Sequence, residues 1–168
     1  MTKKSRQYIS ILVAMICYYI VHEGAHCIYA LTHGAFKNIN FMVLGVQIDV
    51  FRDQLSDAQL GWFCLVGPIA TLVVGYLLVI LRKKICMVKN PLFKACAWYT
   101  SMAMLMLDPL YLTVINRIVG GGDMNGIKLL MPENVVLIIA GVFFVVNLIL
   151  LMKVQYPVFT EAFRDIKD

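Results

Sequence analysis

The chain has 168 residues, 61% of them hydrophobic and only 15% charged, with a mean hydropathy of +0.79. Soluble domains carry about 25% charged residues and about half apolar ones, so the composition excludes a disordered chain, a coiled coil and an ordinary water-soluble globule. The net charge of +5 sits beside apolar runs, which points to a lipid bilayer and not to nucleic acid, and five cysteines without a CxxC pair exclude a secreted disulfide framework.

Four long stretches lack Lys and Arg: 7–36, 53–81, 95–116 and 129–152. Each can hold the roughly 20 mainly apolar residues that cross a ~30 Å hydrocarbon core. Lipid offers no partners for backbone N–H and C=O groups, and helices satisfy their own. The expected fold is therefore an all-α polytopic membrane protein, one domain over residues 1–168, with about four transmembrane helices.

The first span is read as Tyr8–Leu31. The basic Lys3-Lys4-Ser5-Arg6 ahead of it has the look of a signal peptide, but no clean small-residue cleavage site follows, so the span is expected to be retained. Near its end stands His22-Glu23-Gly24-Ala25-His26, an HExxH motif. On a helix, residues four apart project from one face about 6 Å apart. Two imidazole nitrogens so placed reach one Zn²⁺ at about 2.0–2.1 Å. Glu23 then lies beside the ion, where it can take a proton from water. An ionised carboxylate within a span costs at least about 2.5–3.5 kcal/mol, so such groups are rare and usually functional. The competing reading is a polar cluster that joins helices through hydrogen bonds. From Tyr8 to His22 the helix rises about 21 Å, which sets the motif inside the membrane, toward the far face.

His33 lies about 10 Å further along the helix axis, beyond reach of the same ion, and reads as a histidine at the mouth of the site or at the interface. Gly34 is the expected helix end. Segment Ile39–Phe51 alternates in part, with Val46, Ile48 and Val50 on one side and Gln47 and Asp49 on the other. Alternation predicts a half-buried strand; an amphipathic linker along the interface is the other reading. A strand would offer an open edge to an unwound substrate.

The second span, Leu60–Leu81, holds Gly67-Pro68-Ile69-Ala70-Thr71, and the third, Ala95–Ile115, holds Leu107-Asp108-Pro109. Gly120-Gly121-Gly122-Asp123-Met124-Asn125-Gly126 follows. Glycines allow close backbone approach, and irregular backbone at membrane depth survives only where it lines protein or a wet cavity. A carboxylate at such a break is well placed as a third metal ligand, so Asp123 is the first choice and Asp108 the second. An ordinary Gly-rich loop and an Asp-Pro kink are the plain alternatives. The fourth span is Val135–Met152, and the tail Gln155–Asp168 reads as a short interfacial helix or a frayed end.

Segments 1–7, 82–94 and 153–168 hold 11 of the 15 Lys and Arg residues, against 4 in 32–59 and 116–134. The positive-inside rule then predicts both termini in the cytoplasm.

With these motifs in this order, residues 8–131 resemble the site-2 protease family of intramembrane zinc metalloproteases. The motifs that carry the likeness are HExxH at His22–His26, Gly67-Pro68 with Thr71 where the family has Asn, and Asn116 followed by Gly122-Asp123, with Met124 and Asn125 separating the acid from Gly126. An extended hairpin after the first motif, at His33-Gly34 and Ile39–Phe51, completes it. The resemblance implies Zn²⁺ held by His22, His26 and Asp123, Glu23 as the general base, and Asn116 and Thr71 as hydrogen-bond donors to the oxyanion or the unwound substrate. The expected activity is zinc-dependent endopeptidase cleavage of transmembrane or membrane-proximal protein substrates. The alternative is a catalytically inactive protease-like membrane protein that binds zinc and regulates a partner's transmembrane segment.

Overall fold

The computed structural model describes residues 1–42, 45–120 and 122–164. Helix α1 (Lys3–Thr32) starts at a Thr2 cap that accepts from Ser5 N at 3.3 Å. Past His33 and Gly34 the chain enters an antiparallel hairpin, β1 (Phe36–Met42) and β2 (Gly45–Val50), with Ile39 opposite Ile48 and a bulge between Phe36 and Asn38. The alternating segment is thus split between two paired strands, and Ile48 is buried while Gln47 is exposed. Helix α2 (Asp57–Met87) begins at a reciprocal capping box, in which Ser56 N donates to Gln59 Oε1 and Gln59 N to Ser56 Oγ. Helix α3 (Pro91–Leu110) opens on an Asn90 cap followed by Pro91, and continues through a π-helical turn (Tyr111–Ile115) into the short α4 (Asn116–Val119). After the glycines comes α5 (Asp123–Ile127). Helix α6 (Glu133–Leu150), a second π-helical turn (Leu151–Gln155) and α7 (Tyr156–Arg164) close the chain as one continuous helical stretch.

Among the described residues, three helical stretches are long and apolar enough to cross a membrane: Lys3–Thr32, Asp57–Met87 and Glu133–Arg164. Their outward faces carry exposed Ile, Leu and Val, such as Ile16 and Ile20 on α1, Val73 and Ile80 on α2, and Ile138, Val142 and Ile149 on α6. Helix α3, which holds most of the expected third span, is less apolar than these three because of Lys94, Thr100, Ser101 and Asp108. All four of those residues are buried, because α3 packs against α1, α2 and α6. The core runs in three layers along the helices. Ile85, Ala97 and Phe159 form one near the N-terminal end of α1, Val79, Leu105 and Leu151 the middle, and a larger cluster with Phe63, Leu112 and Ile127 lies under the hairpin.

Candidate metal centre

One row of α1 runs Arg6, Ser10, Ala14, Tyr18, His22, His26, Ala30, and every member but Tyr18 is buried. At 3.6 residues per turn, a strict four-residue step advances about 40° around the axis, so the row winds from one neighbour to the next. Ser10 meets Cys96 of α3 (Sγ to Oγ 3.6 Å), whereas His26 meets Phe63 of α2. The two imidazoles fall where the row passes between these helices.

The third group comes from a distant part of the chain. Asp123 opens α5, and Gly126 lies on the same face one turn on. A Cβ at Gly126 would sit 2.2 Å from Cys64 Sγ and 3.0 Å from Leu60 O, so only glycine lets α5 lie this close to α2. The two residues between Asp123 and Gly126 are thus the spacing of one helical turn, which points the acid at α1 while the glycine docks on α2. Positive φ angles at Gly120 and Gly122, +70° and +60°, make the break that brings α5 inward.

His22 Nε2 and His26 Nε2 are 3.1 Å apart. Asp123 Oδ2 is 3.1 Å from the first and Asp123 Oδ1 3.5 Å from the second. All three groups offer a ligand atom within 4.8 Å of the others. Ligands about 2.0–2.1 Å from one tetrahedral ion stand about 3.3 Å from each other, close to these separations. The outer nitrogens support the same reading. His26 Nδ1 lies 2.6 Å from the Phe63 carbonyl, which can only accept, so Nδ1 carries the hydrogen and, in the neutral ring, Nε2 presents a lone pair. His22 Nδ1 faces Asp108 Oδ1 at 3.1 Å, again an acceptor. The inward atoms are therefore two imidazole nitrogens and a carboxylate, a donor set that could hold a cation. Both histidines are buried, whereas the Asp123 side chain is 19% exposed, so the cluster opens on one side.

That side is a cavity of about 810 Å³ lined by Tyr18, Tyr19, Glu23, Ile48, Tyr111 and Asp123 among others. Glu23 stands at its wall, and its Oε2 accepts from Ile48 N at 3.1 Å. The outer edge of β2 therefore faces α1 and the cavity. Opposite the imidazoles, Gly67 of α2 comes so close that a Cβ there would lie 2.4 Å from His26 Nε2 and 2.9 Å from His22 Nε2.

The other candidates lie elsewhere. Asp108 is 2% exposed and sits behind His22, on the outer nitrogen. Its Oδ1 accepts from Tyr18 OH at 2.5 Å and its Oδ2 from the Thr71 hydroxyl. Thr71 is fully buried and outside the cavity lining. Asn116 Nδ2 donates to the Leu112 carbonyl at 2.6 Å, inside its own helical stretch. His33 is exposed and stacked on Tyr29, with ring centroids 4.1 Å apart. Two partners were not foreseen in the sequence: the Phe63 carbonyl, which no side chain announces, and Tyr18, whose place four residues before His22 was the available signal. No family model, curated protein or solved structure matches this chain.

Proposed function

We propose that this protein is a zinc-dependent endopeptidase of the membrane, akin to the site-2 proteases, with His22, His26 and Asp123 as metal ligands and Glu23 as general base. The observation that carries the reading is the convergence of two imidazole Nε2 atoms and one carboxylate on a common point, with Glu23 beside them at a cavity wall. Two nitrogens and one carboxylate oxygen, with one side left open, are the donor set of catalytic zinc. An ion so held supplies Lewis acidity toward water and toward the scissile carbonyl.

Glu23 accepts the proton of the attacking water and returns it to the leaving amide nitrogen. The outer edge of β2 aligns an extended substrate by strand pairing, which a helical transmembrane segment must unwind to provide. In this reading α3 crosses the bilayer as a fourth span with its polar side chains turned to α1, α2 and α6. Both termini lie on the cytoplasmic side in this reading, as the charge bias predicts.

Purified protein with Glu23→Gln is expected to retain zinc at the wild-type ratio and to cut a transmembrane peptide at least about 100-fold more slowly, the usual scale of a lost general base. Cleavage at the wild-type rate would remove Glu23 from the mechanism. The Glu23–Ile48 hydrogen bond favours one other reading, a non-catalytic zinc protein in which Glu23 only anchors the hairpin. Wild-type protein that binds zinc but cuts no transmembrane peptide would decide for it.

A further inference from the structure

Asp108 is a carboxylate at the centre of a helix packing, and His22 is the one cation-forming side chain that contacts it among the described residues. The contact to Nδ1 is 3.1 Å long but oblique to the ring N–H, and that buried nitrogen has no other partner. The carboxylate is itself tied from both sides. Tyr18, one turn before His22 on α1, donates to Oδ1, and Thr71 of α2 reaches Oδ2. Thr71 follows Gly67 by four residues, so one face of α2 serves both sides of the same imidazole pair. Gly67 makes room for the Nε2 atoms, and Thr71 secures the acid behind Nδ1.

We infer that Asp108, clamped by Tyr18 and Thr71, is a positioning residue that keeps His22 in the Nδ1–H tautomer and aims its Nε2 lone pair at the metal. The inference rests on the metal-centre reading above and extends it to three residues that bind no ion. A carboxylate accepts only, so the opposite tautomer would set a nitrogen lone pair against a buried negative charge. Outer hydrogen-bond partners of this kind fix ring orientation and raise the basicity of the ligand. The single Thr71 hydroxyl hydrogen has two acceptors within reach, Asp108 Oδ2 and the Pro68 carbonyl at 2.9 Å, both on the side of the metal ligand and not of the substrate.

The test uses full-length protein in detergent, with zinc affinity read by competition against a fluorescent chelator. Asp108→Asn is expected to weaken zinc about 10–100-fold, the range for loss of an outer partner. Thr71→Val should weaken it in the same direction, while Thr71→Ser, which keeps the hydroxyl, should bind like wild type. ¹⁵N spectra of the zinc-free protein should report the Nδ1–H form of His22 in wild type and a mixture of tautomers in Asp108→Asn. Unchanged affinity and tautomer in Asp108→Asn would overturn the inference, as would equal affinities for Thr71→Val and Thr71→Ser. Zinc loss in Asp108→Asn as complete as in Asp123→Ala would make Asp108 a ligand and overturn it too. Wild-type protein that holds no zinc overturns both this inference and the function beneath it, whereas zinc binding without peptide cleavage overturns only the function.

Discussion

Gly67 faces two imidazole nitrogens with no atom to spare, and this sets the tolerance of the centre at the residue scale. A methyl group at this position would occupy the space of the His26 ring edge. Gly67→Ala is expected to lower bound zinc by at least about 10-fold in purified protein while leaving the helical circular dichroism signal intact. Alanine is the better helix former, so propensity alone would not weaken α2. Zinc at the wild-type level in that variant would mean that α1 and α2 can separate without disturbing the ligands. The two histidines and Glu23 are legible from sequence because their geometry is local: a four-residue step on a helix suffices. The choice between Asp108 and Asp123 is not local. Both acids reach His22, one on each nitrogen, and only the packing of α3 and α5 decides which meets Nε2.

At the scale of elements, the helices are held to one another by a few polar contacts within an apolar packing. Asn147 of α6 is fully buried; its Nδ2 donates to the Leu105 carbonyl of α3 at 2.7 Å, and Tyr76 of α2 donates to its Oδ1 at 2.7 Å. Hydrogen bonds between membrane helices contribute about 0.6 kcal/mol on average and up to about 1.7 kcal/mol. Tyr76→Phe should therefore lower the unfolding free energy measured in SDS by an amount in that range, with zinc content unchanged, since Tyr76 is far in sequence and contact from the ligands. A loss above the range would make this junction a principal fastening of α6. The long helices could be read from the apolar stretches between charges. The five-residue α5 could not, because its form depends on Gly126 seating against Cys64 and not on any periodic pattern. The hairpin was half legible: alternation marks Val46 to Val50 as a strand, but no pattern within Phe36–Met42 marks it as the partner strand.

Across the whole molecule, the basic clusters and the candidate metal centre occupy opposite ends of the helices. In a background with the five native cysteines changed to alanine, Lys84→Cys should react with a membrane-impermeant maleimide only once the cytoplasmic face is opened, and Gln47→Cys should react from the opposite face. The reverse pattern would invert the orientation drawn from the charge bias. The amino-acid sequence by itself determined that the chain is helical and apolar enough for a bilayer, and that two histidines and a glutamate share one stretch of helix. Those properties follow from composition and from repeats of a few residues, which survive without knowledge of neighbours. The tertiary structure alone decided which acid completes the cluster, which residues stand behind the histidines, and that Thr71 and Asn116 turn their polar groups away from the cavity. Each of those depends on contacts between segments tens of residues apart, set by how closely α2, α3 and α5 pack around α1.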